Sequence, residues 1–291
     1  MTPGNAPETY EELIRAIHER YDDLSRGYQS IALFLTQNPN DVAVRSVNAV
    51  AERCGAHASS LVRFAQAFGY QGFKELQSVF QARLETAAPG FEARIKALES
   101  DLDAQGNESP LGLLQGLVVR DIASLEELLT QTSETDLKRA ARLIEKADTV
   151  YLAGKLRSEP IVVLLRYILS MLGCRTVLLN ASGGLATHMA RVMRPNDLLF
   201  AVAFRFYATE VVNIAEEAAA RGIPIVAISD STLSPLAKNA DVLFAVPEHE
   251  YTFSRSLAAP MCLAQALMLA LATRLQKDSD SPPRIPVVTE A

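Results

Sequence analysis

Between Thr149 and Val246 the chain repeats one pattern five times: a short run of nearly all-apolar residues, then a polar or helix-forming stretch. The runs are Thr149 to Ala153 (TVYLA), Arg175 to Leu179 (RTVLL), Leu198 to Ala203 (LLFAVA), Pro224 to Ser229 (PIVAIS) and Val242 to Val246 (VLFAV). A strand with one wet face alternates apolar and polar residues, and these runs do not. They predict strands buried on both faces, hence a parallel sheet with helices above and below it. The covering helices are expected over Glu134 to Ala147, Ile161 to Leu172, Leu185 to Val192, Ala208 to Arg221 and Ser256 to Leu275, with a further helix from Pro110 to about Gln131.

The first 85 residues have a different texture. They read as helices joined by short polar turns: Tyr10 to Tyr21, Ser25 to Thr36 (closed by Asn38-Pro39), then two or three shorter helices from Val42 to Phe80. The expected organisation is an all-α helix-turn-helix domain over residues 1–85, then a linker over 86–110 rich in charges, small residues, Pro and Gly. An α/β domain over 111–276 follows, a five-stranded parallel sheet in an α-β-α sandwich, with a disordered tail over 277–291.

Composition narrows the function. A net charge of −6 argues against indiscriminate binding of nucleic acid or anionic membrane by the whole chain, and leaves room for a local basic face. Cys54, Cys174 and Cys262 are far apart and outside any CxxC spacing, and His18, His57, His188 and His249 are equally scattered. No disulfide framework, zinc motif or cofactor is expected. The start, MTPGNAPETYEEL, lacks the features of a signal peptide, and no uninterrupted apolar run approaches the roughly 18 residues of a membrane span. A cytoplasmic protein with no membrane partner is the expectation.

The stretch SVNAVAERCGAHASSLVRFAQAFGYQGFKEL carries most of the information in the first domain. Val47, Val50, Ala51 and Cys54 fall on one helical face, Gly55 permits a tight turn, and Leu61, Phe64, Ala65 and Phe68 form the apolar face of a second helix. The opposite face of that second helix carries Ser59, Ser60, Arg63 and Gln66. Small hydroxyl groups let a helix approach a DNA groove, and an Arg offers a two-pronged donor to a base or phosphate. From Val42 to Arg83 five basic residues stand against two acidic ones. Arg45, His57, Ser59, Ser60, Arg63, Gln66, Tyr70 and Lys74 are the candidate DNA-binding residues. The alternative is an ordinary helical hairpin in which Arg63 pairs with Glu52.

From Ile31 to Leu84 the chain resembles the N-terminal domain of the RpiR/MurR family of bacterial transcriptional regulators. Arg63-Phe64, Gly69-Tyr70 and Gly72-Phe73 fall on that family's positions, whereas His57 stands where the family usually has a Ser capping the recognition helix. The resemblance implies a double-stranded DNA operator as partner.

In the second domain the loops after the first and third strands hold the chemistry. Gly154, Lys155, Arg157 and Ser158 follow the first, and Arg205, Phe206, Tyr207 and Thr209 follow the third. In a sheet of flavodoxin-like order these strands are neighbours, so the two loops face each other at the switch point, where a ligand is usually held. Two arginines brought together call for an anion or for an acidic partner such as Glu159 or Glu210.

From Leu137 to Leu275 the chain resembles the sugar isomerase (SIS) domain, which implies dimerisation or tetramerisation and a phosphosugar effector. GKLRS lies on that family's Gly-x-Gly-x-Ser, with Leu156 in place of the second Gly. AFRFYA lies on Ser-x-Ser-Gly-x-Thr with Ala203, Arg205, Phe206 and Ala208 all different, and IVAISDS brings Ser229 to a family position. The candidate ligand residues are therefore Gly154, Lys155, Arg157, Ser158, Arg205, Tyr207, Thr209 and Ser229, and the ligand is expected to be a small anionic metabolite, a sugar phosphate or a sugar or carboxylic acid. Three functions are open: a regulator that senses such a metabolite, a sugar-phosphate isomerase with an accessory helical domain, and a DNA-binding scaffold with a ligand-free SIS domain. Glu210 with His188 or His249 are the residues an isomerase would use, but no acid/base pair is legible, so no catalytic residue is expected.

Overall fold

The computed structural model describes residues 6–87, 109–180, 185–205, 207–247 and 255–277, which form two compact units, Met1–Ala104 and Gln105–Ala291. Most of the linker stretch, nearly all of the tail stretch, Phe206 and His249 lie outside the described residues.

The first unit consists of α1 (Tyr10–Arg20), α2 (Arg26–Gln37), α3 (Pro39–Val44), α4 (Val47–Arg53), α5 (Ala58–Ala67) and α6 (Phe73–Ala87). Thr9 and Glu12 form a capping box on α1, and Ser25 and Ser46 cap α2 and α4, so each start is fixed by a side chain that satisfies an orphan backbone donor. Pro39 does more than close α2. It opens α3, where its missing N–H costs nothing. The core is made of Leu13, Ile17, Ile31, Leu35, Leu61, Phe64, Leu76 and Phe80, all fully buried, with the Tyr10 ring edge-on to Phe80 at 5.3 Å. Two glutamines of α6 reach across to α3. Gln77 donates to the carbonyls of Val42 (2.8 Å) and Arg45 (2.6 Å), and Gln81 donates to that of Ala43 (3.0 Å).

The second unit consists of α7 (Pro110–Gln131), α8 (Glu134–Lys146), β1 (Val150–Gly154), α9 (Glu159–Met171), β2 (Thr176–Leu178), α10 (Ala186–Ala190), β3 (Leu198–Ala203), α11 (Thr209–Ala220), β4 (Ile225–Ser229), β5 (Val242–Ala245) and α12 (Ala258–Lys277). The sheet is parallel throughout, in the order β2-β1-β3-β4-β5. Leu152, Phe200 and Val226 lie side by side in register and face α8, α9 and α12, while Tyr151, Leu199 and Ile225 face α10 and α11. Both faces are covered, which is why the strands carry no polar alternation.

By length and composition α12 could cross a membrane. Here Ala259, Leu263, Ala264, Leu267, Met268 and Leu271 are buried against the sheet, so its apolarity serves the core.

Candidate functional site

In the first unit α4 and α5 are joined by a turn in which Gly55 has φ +66°, a backbone state that a side chain disfavours. The Ala56 N–H donates back to the Ala51 carbonyl at 2.9 Å, closing α4. Leu61, Phe64 and Ala65 bury one face of α5, and Ser59, Arg63 and Gln66 are exposed on the other, with Ser60 half-buried at the margin. Arg63 and Glu52 form no ion pair among the described residues. Asp41 instead gathers the neighbouring cations, Arg45 at 3.0 Å and Arg53 at 3.2 Å. His57 is the N-cap of α5 and makes no side-chain cap bond. Lys74 is exposed in the first turn of α6.

Tyr70 departs from the expectation that it faces DNA. Its ring is 4% exposed, its hydroxyl donates to the Pro7 carbonyl at 2.8 Å, and burial raises its pKa further above the usual phenol value. It anchors the chain start to the turn between α5 and α6. Arg20 supports the same region from α1, with its guanidinium 4.4 Å above the Phe68 ring and a 2.9 Å bond to the Ala67 carbonyl at the end of α5.

In the second unit the loops after β1, β3 and β4 meet at the carboxyl edge of the sheet, where the connections from β1 and β3 depart to opposite faces. Arg157 lies with its guanidinium 4.5 Å above the Phe204 ring and reaches toward the Ser256 carbonyl (3.5 Å). Its pKa is pushed down to about 10, first by desolvation, then by the charge of Arg255, and further by Arg205, with Asp230 acting the other way. The Arg205 backbone N–H donates to Asp230 Oδ2 at 3.1 Å, and its Nε lies 4.0 Å from the same oxygen. Arg205 thus sits beside a nearly buried carboxylate, and the charges of Arg205, Arg255 and Asp230 are all felt at Arg157.

The other candidates divide. Lys155 is ion-paired with Glu210 at the start of α11, so the acid expected near the arginines is taken up by the lysine. Tyr207 packs against the α10–α11 side of the core, and Thr209 is exposed in the first turn of α11. Gly154 departs from a ligand-facing role. A Cβ there would lie 2.9 Å from the Val162 side chain, so its bareness lets α9 pack on β1. Ser229 is likewise structural, buried, with its hydroxyl donating to the Ala203 carbonyl at 2.6 Å and tying β4 to β3. Ser158 is buried at the N-terminus of α9. Phe204, Asp230 and Arg255 were not among the candidates. Phe204 and Asp230 directly follow β3 and β4 at the carboxyl edge, and that placement is the signal that finds them; Arg255, just ahead of α12, offers no such signal.

Leu156 is the one non-glycine residue with positive φ (56°) among the described residues, at the position where the resembling family has its second glycine, and its side chain is 79% exposed. A left-handed backbone costs an L-residue roughly 1–2 kcal/mol, and nothing packs around this side chain to offset it. Leu156→Gly is therefore expected to raise stability by about 1 kcal/mol, read from chemical denaturation.

No hydrogen bond joins Glu210 to His188, which is exposed on α10, so this isomerase-like acid/base pair is not assembled. Among the described residues no group of three or more His, Cys, Asp or Glu side chains is arranged to hold a metal ion.

Comparison with known proteins bears on both units. Residues 11–87 match the model of the helix-turn-helix domain, rpiR family, and residues 143–270 match that of the SIS domain. The chain is 25% identical over 271 residues to YfhH of Escherichia coli K12, an uncharacterised HTH-type transcriptional regulator, covering 92% of this chain and 93% of that one. The sugar isomerase domain of an RpiR transcription factor from Sphaerobacter thermophilus is 30% identical, with a TM-score of 0.55, covering 57% of this chain and 92% of that one. The Vibrio vulnificus NanR protein complexed with ManNAc-6P shares the fold over 91% of this chain and 93% of its own, at 19% identity and a TM-score of 0.53.

Proposed function

Because the chain belongs to the rpiR family of helix-turn-helix transcriptional regulators and is a DNA-binding regulator with a SIS domain, we propose that its second unit pairs two protomers and senses a small anion that alters operator affinity. The observation that carries the sensing is the placement of Arg157, over the Phe204 ring, and of Arg205, bonded through its backbone to Asp230, on the loops at the switch point of the sheet. Burial and the neighbouring arginines disfavour the charged form of Arg157, and an anion bound beside it would favour that form. The likeness in fold to a protein complexed with ManNAc-6P supports a small-molecule ligand for this chain. A regulator needs binding rather than turnover.

DNA contact is assigned to Ser59, Ser60, Arg63 and Gln66 of α5, with His57 and Lys74 beside them. The uncapped start of α5 leaves backbone N–H groups for a phosphate, where the helix dipole favours negative charge. Two such helices, one per protomer, would read successive major-groove faces of a pseudo-palindromic site. The ligand must favour one arrangement of the protomers to change DNA affinity. The test is fluorescence anisotropy of an operator selected from the genome, with and without sugar phosphates, sugar acids and dicarboxylates at fixed salt. A shift in Kd of about fivefold or more supports sensing. An unchanged Kd across the panel would leave a DNA-binding scaffold.

Pairing is supported by α7. Leu111, Leu114, Val118, Val119 and Ile122 are exposed along this helix of 22 residues, about 33 Å long. Val163, Tyr167 and Met171 form an exposed i, i+4, i+8 stripe on α9. Apolar surface of this extent on one chain marks an interface with another. Val118→Glu with Ile122→Glu is expected to convert a dimer to a monomer in sedimentation and to weaken operator binding by about tenfold or more, since the second half-site is no longer held in place. A single wild-type species at monomer mass would refute the pairing.

A further inference from the structure

In a helix-turn-helix unit the first helix lies across the DNA backbone while the second enters the groove. Here the first is α4, seven residues long and about 10 Å from end to end. An arginine stands at each end of it. Arg45 comes one residue before the Ser46 cap, and Arg53 is the last residue of the helix. Asp41 of α3 draws the two together. Its Oδ1 lies 3.0 Å from Arg45 Nε and its Oδ2 lies 3.2 Å from Arg53 Nε, so each carboxylate oxygen takes one guanidinium. The Arg45 backbone is fixed as well. Its N–H donates to the Asp41 carbonyl at 3.0 Å, and its carbonyl accepts from Gln77 of α6 at 2.6 Å. Both guanidinium groups meet Asp41 through Nε, and among the described residues neither has another partner. The two arginine side chains remain 42% and 48% exposed, so their Nη groups are open to a ligand from outside.

Resting on the reading of this unit as the DNA-binding one, we propose that Arg45 and Arg53, gathered by Asp41, form a clamp for one phosphate of the DNA backbone beside the groove that α5 enters. A guanidinium carries five N–H donors, and the Nε–H is only one of them. The Nη donors of both arginines are left for the oxygens of a phosphate, a charge-assisted contact of the strong kind. Two cations share one carboxylate, and a phosphate between them balances the charge that Asp41 does not. Asp41 is a positioning residue in this arrangement. It removes part of the freedom of two long side chains before DNA arrives, which lowers the entropy cost of the contact. A staple between α3 and α4 is the rival role, and exposed ion pairs contribute little to stability. The clamp adds Arg53 and Asp41 to the interface, and it fixes where the backbone lies relative to α5 without reading sequence.

The experiment is fluorescence anisotropy of the full-length protein with the selected operator and with a scrambled duplex, each over a range of salt. Arg45→Gln and Arg53→Gln are each expected to weaken binding to both duplexes alike, by about threefold or more at low salt. The double variant is expected to lower the slope of log K against log salt by about one, the mark of one shared phosphate. A role confined to stapling α3 to α4 would move the melting temperature and leave that slope alone. Asp41→Asn keeps both cations and removes the charge that gathers them. At raised salt, where its bare charge is screened, it is expected to weaken binding by about twofold or more. Equal or tighter binding there would overturn the positioning role of Asp41. A slope unchanged in the double variant, with operator binding still lost in Arg63→Ala, overturns the clamp and leaves α5 in the groove. A slope lowered by about two would assign the arginines to separate phosphates and overturn the shared clamp. A folded wild type that binds neither duplex overturns the DNA reading of this unit, and the clamp with it.

Discussion

Arg63→Ala is expected to weaken operator binding by about 1–3 kcal/mol, roughly 5- to 150-fold in Kd, without changing the melting of the protein. The side chain is exposed on α5, bears no ion pair among the described residues, and sits one turn into the helix between Ser59 and Gln66. No internal contact is lost with it, so the whole effect falls on DNA. Arg63→Lys should not restore tight binding if the contact is a two-pronged one to a guanine edge, since an ammonium lacks the fork. Lys74→Ala offers the contrast. As a phosphate contact it would weaken binding to all sequences alike and lower the slope of log K against log salt by about one. Unchanged binding by Arg63→Ala would remove α5 from the groove.

The next residue along gives the opposite result. Phe64→Ala is expected to destabilise the first unit by about 3–5 kcal/mol, read from chemical denaturation, and to lose DNA binding through unfolding. Phe64 is wholly buried, edge-on to Tyr28 at 5.5 Å and 4.8 Å from the Phe68 ring. Removing it opens a cavity in the contact between α5 and α2, against a total stability of about 5–15 kcal/mol for a typical domain. Phe64→Leu, which fills most of that volume, should retain much of the stability and the binding. Adjacent side chains on one short helix thus separate recognition from folding.

The contrast between Arg63 and Phe64 shows what the sequence made legible. Apolar residues spaced at three and four suffice to place Leu61, Phe64 and Ala65 inward, and the polar face follows by subtraction. The five apolar runs identified the strands to within a residue or two of their ends, and the sheet has the strand order expected of it. The details that escaped are ones that neighbours in space decide. Tyr70 carries a polar tip, and only the fold shows that tip turned to the Pro7 carbonyl. Gly154 and Ser229 sit where a ligand loop would place them, yet Val162 and the Ala203 carbonyl take up their properties. Arg255 lies 98 residues beyond Arg157 in the chain, and no local spacing announces that their charges meet.

Gln77 and Gln81 have a mechanical meaning. Three carbonyls at the end of α3 and just beyond it are held by amides of α6 rather than left to water, and α6 also packs on α5. α6, which runs to Ala87, is therefore braced on α3 and packed on α5, the helix that presents Arg63. A torque applied where the chain leaves α6 is inherited by α5 as a rotation of the whole block, with little slack to absorb it. Within this unit the direction in which the chain leaves α6 is thus tied to the direction in which α5 presents Arg63.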